Sequence, residues 1–272
     1  MAMRILITND DGINAPGLAV LERIASALSD DVFVVAPESD QSGVAHSLSL
    51  SDPLRLRQIS ERRFAVKGTP TDCVIMGVRK ILLEHKPDLV LSGVNSGQNL
   101  AEDVIYSGTV AGAMEGTILG IPSIALSQCY DAGTGGRDGM HWDCAETYAP
   151  SIIRRLLAAG IDPDIVMNVN FPACAASEVK GLAVTAQGRR DATTIKIDGR
   201  HDGRHLPYYW IAFARDTRQP GIGTDLEAIA QRKIAVTPLR IDLTDEPTMT
   251  RLAQMLPRDL HDEALASSKT PA

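Results

Sequence analysis

Cysteine is scarce and scattered. Cys73, Cys129, Cys144 and Cys174 are the only four, and no two form a C-x-x-C pair, so neither a zinc knuckle nor a disulfide framework is indicated. They read as buried free thiols. Long apolar runs are missing as well. Nothing approaches the roughly 18 residues of a membrane-spanning helix, and the chain enters its first strand without a basic segment followed by an apolar one. A cytoplasmic protein with no membrane partner is the expectation. Positive charge is in deficit, with 27 Lys and Arg against 34 Asp and Glu and a formal net charge of −7. That balance argues against a nucleic-acid polymer as partner. A small anionic substrate would then need a local positive site, such as a metal ion or a helix N-terminus. Three signatures are also absent: G-x-G-x-x-G after the first strand, G-x-x-x-x-G-K-[ST], and G-x-S-x-G. Dinucleotide binding, P-loop hydrolysis and serine-hydrolase chemistry each lose their marker.

What is present is an ordinary globular composition, 44% apolar and 22% charged over 272 residues, ample for a sizeable core. The stretch Arg4 to Gly12 organises the rest. Ile5, Leu6 and Ile7 make a short continuous apolar run, the pattern of a strand buried on both faces, and it stops at two adjacent acids. Paired carboxylates repel unless a cation lies between them. Gly12 permits a sharp turn, and Leu18, Leu21, Ala25 and Leu28 follow with helical spacing. Taken alone, Asn9, Asp10 and Asp11 equally suit a turn and a helix cap.

Along the chain the pattern repeats. Val32 to Ala36 is a second strand, closed by Pro37 and followed by the oxygen-rich loop Glu38 to Gly43. Val44 to Ala65 alternates as a strand or hairpin excursion, and Thr69, Pro70 and Asp72 open a helix running through Leu82. Pro87 to Ser92 is a third strand, ending in the Gly-, Ser- and Asn-rich loop Gly93 to Leu100. Tyr106-Ser107-Gly108-Thr109 leads into a helix of small residues, and its start suits a phosphate. Strands at 121–127 and 164–170, with an amphipathic segment from Trp142 to Ala159 between them, continue the alternation. The expected fold is α/β: a Rossmann-like, mostly parallel sheet with helices on both faces. Beyond about Lys180 the strands Val179 to Thr185 and Tyr208 to Phe213 flank a basic stretch, a candidate arm for subunit contact. Short helices over 224–231 and 248–256 and a strand over 234–237 follow. The expected organisation is a catalytic core over 1–178, a β-hairpin arm with C-terminal oligomerisation elements over 179–257, and a flexible tail over 258–272.

Asp10 and Asp11, Ser42, and Asn95 fall on three different strand-end loops, and all offer hard oxygen ligands. That donor set suits Mg²⁺ or Mn²⁺. With phosphate held at Ser107, Gly108 and Thr109 beside it, the combination makes a phosphoryl-transfer site. The acids are adjacent and not D-x-D, which disfavours a phosphatase of the haloacid type.

The ordered segments Asn9-Asp10-Asp11-Gly12 with Ala15-Pro16-Gly17, Val35-Ala36-Pro37 with Ser42-Gly43, Gly68-Thr69-Pro70-Thr71-Asp72-Cys73, Ser92 to Gly97 and Tyr106 to Ala111 together resemble the SurE survival-protein family of 5′-nucleotidases. Val236-Thr237-Pro238-Leu239 extends the likeness towards the C-terminus. The resemblance implies a metal-dependent hydrolysis of nucleoside monophosphates to nucleoside and phosphate, with 3′-nucleotides an open addition. It implies one divalent metal per subunit, held by Asp10, Asp11, Ser42 and Asn95, with Gly43 and Ser96 near the phosphate at Ser107 to Thr109. Asp10, Asp11 and Asn95 are the expected catalytic residues, with the general base either Asp10 or Asp11. It also implies a homodimer or homotetramer built through the C-terminal arm. Asn14 departs from the pattern, since many members carry His there. Two alternatives stand beside this reading: a nucleotide-binding regulatory protein without turnover, and a short-chain exopolyphosphatase. Tyr106 is the one close candidate for stacking on a base, so broad base specificity is expected.

Overall fold

In the computed structural model the first strand, β1 (Arg4–Thr8), is buried on both faces. Its residues alternate as a strand requires. Ile5 and Ile7 pack with Leu18, Leu21 and Ile24 of helix α1 (Pro16–Ser26), while Leu6 packs with Cys73 and Val74 of α2 (Pro70–Met76) on the other side. The structure describes residues 2–130, 140–190, 195–213 and 219–256. The tail expected over 258–272 lies outside them. The chain divides into two units, Met1–Ile241 and Asp242–Ala272.

Among the described residues of the first unit, nine strands form one sheet. Beside β1 lie β2 (Asp31–Pro37) and β5 (Leu89–Ser96), both parallel to it. From β2 the sheet continues to β4 (Arg63–Lys67), parallel, and to β3 (Arg55–Ser60), antiparallel at the edge. From β5 it continues through β6 (Ser123–Gln128) and β7 (Ile165–Phe171), both parallel. Then β11 (Ile234–Arg240) runs antiparallel to β7, and β8 (Leu182–Val184) closes that side. The chain leaves β1 for β2 on one side and returns to β5 on the other. A crevice therefore opens at the carboxyl end of β1, the place where open α/β sheets bind ligands.

Helices cover both faces. With α1 packs α5 (Asp143–Ala159); on the opposite face α2 is joined by α4 (Gly108–Ile118). The short α3 (Asp103–Tyr106) precedes α4 and was not anticipated. Thr69 and Asp72 form the expected capping box at the start of α2. That helix is shorter than its apolar spacing indicated: at Gly77 it widens into a π turn over Gly77–Ile81, closed by Leu82 N–H donating to the Gly77 carbonyl at 2.8 Å. The excursion before it is part of the sheet, since β3 and β4 extend the edge beside β2.

Residues 179–257, expected as an arm and oligomerisation elements, occupy three places. The strands β8 and β11 belong to the main sheet, with α6 (Asp225–Ala230) between them in sequence. A separate antiparallel pair, β9 (Ile195–His201) and β10 (Pro207–Phe213), carries exposed Ile197, Tyr209, Trp210 and Ile211. In the second unit, α7 (Glu246–Met255) is capped by Asp245.

Candidate active site

The loop after β1 is held from several sides. Asn9 Nδ2 donates to the Gly12 carbonyl at 3.0 Å, and Gly12 turns the chain at φ +102°, with its α-carbon so close to the Ser39 backbone that a side chain would crowd it. Ile13 N–H donates to Pro37 O, and Gln41 N–H donates to Asp10 O. The loops after β1 and β2 are thereby stitched together, as expected if their strands were neighbours.

Asp10 is almost fully buried, and the Thr109 hydroxyl donates to its Oδ1. Burial pushes its carboxyl up to about 6; the Thr109 bond opposes this and the neighbouring Asp11 charge adds to it. Asp11 Oδ2 accepts the Ser96 N–H at 3.0 Å, which ties the β1 loop to the end of β5. Just before that point β5 is irregular: its register against β6 shifts between Ser92 and Asn95. Such a bulge re-aims the side chains that follow it. Asn95 Nδ2 donates to Gly97 O at 3.0 Å, so its carbonyl oxygen is the end left to ligate a cation. Ser42 donates both its N–H and its hydroxyl to Asp40 Oδ1, each at 2.7 Å, which leaves hydroxyl lone pairs.

A cavity of about 270 Å³ opens here, and Asp10, Ser42, Gly43, Asn95, Ser96 and Ser107 all line it. Asp11, Gly108 and Thr109 are not in its lining. Gly108 sits directly against Asp10, and Thr109 is wholly buried behind it. Among the described residues no group of three or more His, Cys, Asp or Glu gathers to hold a metal. A cation would therefore rest on two carboxylates completed by neutral oxygens. This donor set fits Mg²⁺ or Mn²⁺, which commonly take one or two carboxylates and share the rest of their shell with water and substrate phosphate. The buried Asp10 charge beside Asp11 is what such an ion would neutralise.

Several residues of the site had not been assigned from sequence. Gln98, Asn99, Asp103 and Tyr130 line the cavity along with Tyr106. Asn99 is fixed by β7 and β6: its N–H donates to Asn170 Oδ1, its Nδ2 to Ser127 Oγ, and its carbonyl accepts from Asn168 and Asn170. Two buried amides at alternate positions of an apolar strand were the available signal. Asp103 pairs with Arg190 at 2.6 Å; burial raises its carboxyl and the guanidinium opposes that. The fully buried Asp225 accepts from Ala101 N–H and Gly188 N–H, so the segment after β8 braces the cavity wall.

The profile of the family described as survival protein SurE matches residues 5–194. A protein of Beijerinckia indica named 5′-nucleotidase SurE is 87% identical over 258 residues, covering 95% of this chain and 98% of that protein. One of Methylocella silvestris with the same name is 68% identical, covering 93% of this chain and all of its own length. The crystal structure of the SurE protein from Aquifex aeolicus superposes with a TM-score of 0.80 at 42% identity, covering 93% of this chain and 99% of that one.

Proposed function

Since the chain belongs to the survival protein SurE family, we propose that it is a 5′-nucleotidase, a phosphoric monoester hydrolase that releases phosphate from nucleoside monophosphates. The observation that carries this reading is the pair Asp10 and Asp11 at the point where the sheet reverses its strand order, beside a cavity that Ser42, Asn95, Ser96 and Ser107 also reach or line. In this reading Asp10, Asp11, Ser42 and Asn95 hold one Mg²⁺ or Mn²⁺ ion. When bound, the ion supplies Lewis-acid polarisation of the phosphoryl oxygens.

The remaining work falls to the chain's own groups. The Ser107 and Ser96 hydroxyls and the open backbone at Gly43 orient the phosphate. One carboxylate of the Asp10–Asp11 pair takes the proton of the attacking water as the water oxygen bonds to phosphorus and the bond to the ribose oxygen breaks, and the leaving ribose oxygen takes up a proton from solvent. Tyr106 and Tyr130 are the aromatic surfaces available to a base. Stacking on a ring is tolerant of base identity, since every base has a π-face, which supports broad base specificity.

The β9–β10 pair is the surface we assign to a homodimer or homotetramer, because it presents several exposed large apolar side chains together. No described helix is long and apolar enough to cross a membrane. The four free cysteines suit the reducing cytoplasm.

The test is phosphate release from a panel of nucleoside monophosphates and short polyphosphate with Mg²⁺, Mn²⁺ or EDTA, run beside Asp10→Asn. Metal-dependent release from the nucleotides, lost by at least about 100-fold in the folded variant, is expected for removal of a ligating carboxylate. Nucleotide binding without release under any metal would point to a regulatory protein instead, and preferred cleavage of polyphosphate to an exopolyphosphatase.

A further inference from the structure

Four residues at the start of α4, Ser107 to Val110, carry the feature that a phosphate cradle needs, a helix N-terminus with free N–H groups. The structure spends that turn differently. Ser107 Oγ accepts the Val110 N–H at 3.0 Å, and Ser107 O accepts the Ala111 N–H at 3.0 Å. Thr109 has no surface on the cavity: it is 0% exposed, and its hydroxyl donates to Asp10 Oδ1. Its own N–H adds a further favourable dipole at the same carboxylate. Gly108 allows this approach. A Cβ there would lie 2.8 Å from Asp10 Cβ and 3.1 Å from Asp10 Oδ2, so any side chain would push the helix off the carboxylate.

The geometry points to Thr109 as a positioning residue that acts through Asp10, aiming its carboxylate for the divalent cation, and not as a phosphate ligand. This inference rests on the metal-dependent reading of the site. Physically, a carboxylate on a loop can rotate about two side-chain torsions. A hydroxyl bonded to one of its oxygens selects one rotamer and leaves the other oxygen, Oδ2, for the cation. Such partners of metal ligands are worth roughly 10–100-fold in metal affinity. Ser107 remains the residue at this helix start that lines the cavity.

The experiment compares wild type with Thr109→Val, Thr109→Ala and Thr109→Ser. Mn²⁺ binding to the substrate-free protein is read by electron paramagnetic resonance or titration calorimetry, and inhibition by inorganic phosphate is read at saturating Mn²⁺. Thermal melting identifies which variants are folded, and either Thr109→Val or Thr109→Ala serves for the missing hydroxyl. The expected result is Mn²⁺ affinity weakened roughly 10–100-fold without the hydroxyl, restored in Thr109→Ser, with the phosphate inhibition constant unchanged in all. Wild-type Mn²⁺ affinity in the hydroxyl-free variants overturns the inference, whether or not phosphate inhibition weakens. Weakened affinity that Thr109→Ser fails to restore overturns it too, because the loss would then be one of packing. A wild-type protein that hydrolyses nucleotides but binds no Mn²⁺ removes the metal reading itself, and this inference with it.

Discussion

A buried acid with its carboxyl at about 6 makes Asp10 a source of pH-dependent stability as well as chemistry. The sign follows from the direction of the shift. Below the ordinary value of 3.8 the group is protonated folded or unfolded. As pH rises from there to about 6, the unfolded chain releases its proton first, and the metal-free fold loses stability. Asp10→Asn removes that charge while keeping an oxygen to accept from Thr109. In EDTA the variant is therefore expected to be more stable than wild type at pH 7.5, by at most about 3 kcal/mol from a shift of about two units. The difference should shrink to nothing below about pH 3, under both values. Urea unfolding at the two pH values reads it, and equal stability at pH 7.5 would mean that Asp10 carries no buried charge. In the proposed metal-dependent reading, the residue trades stability of the empty fold for a charge that a cation would neutralise.

At the scale of elements, α4 shows why a helix can be rich in glycine. Gly112 and Gly116 face the sheet, and a Cβ on Gly116 would lie 2.4 Å from Ser123 Oγ and 2.9 Å from Val90 Cβ. Ser123 Oγ already donates to Ile121 O, so it cannot swing aside without losing that bond. Alanine is the better helix former by about 1 kcal/mol. Overpacking a tight contact costs about 1–3 kcal/mol. Gly116→Ala is therefore expected to be a net loss in thermal unfolding, and a gain would show that α4 can lift from β5 and β6. The loop from Ser42 to Ser49 is placed by helices in the same way. Ala45 N–H donates to Tyr106 O, His46 pairs with Glu115 of α4 at 3.0 Å, and Ser49 donates to the α2 cap Asp72. The element that carries Ser42 and Gly43 into the site is thus anchored on the helices behind it.

At the scale of the whole molecule, the β9–β10 pair sets several large apolar side chains side by side on its surface. Tyr209 is 68% and Ile211 71% exposed, and Tyr208 and Trp210 meet edge to face with ring centres 6.5 Å apart. If this pair joins subunits, Tyr209→Asp combined with Ile211→Asp should lower the mass measured by light scattering while leaving the Met1–Ile241 unit folded. An unchanged mass would move the subunit contact elsewhere.

The sequence by itself determined the sheet and the position of the acids. Apolar runs ending in Asp10–Asp11, Pro37 and Ser92 announce buried strands with polar carboxyl ends, because a strand covered on both faces admits little else. It also determined the cap at Thr69, since capping is a matter of four consecutive residues. Tertiary structure alone decided which strand lies beside which, and so that the loops after β1, β2 and β5 share one cavity. It decided that Asn168, Asn170, Arg190 and Asp225 brace that cavity from 69 to 124 residues away in sequence, a partnership no local pattern encodes. It also turned Thr109 from a helix start that could meet phosphate into the partner of Asp10. A helix N-terminus is legible in a sequence, but what it faces is fixed only when the sheet brings another loop against it.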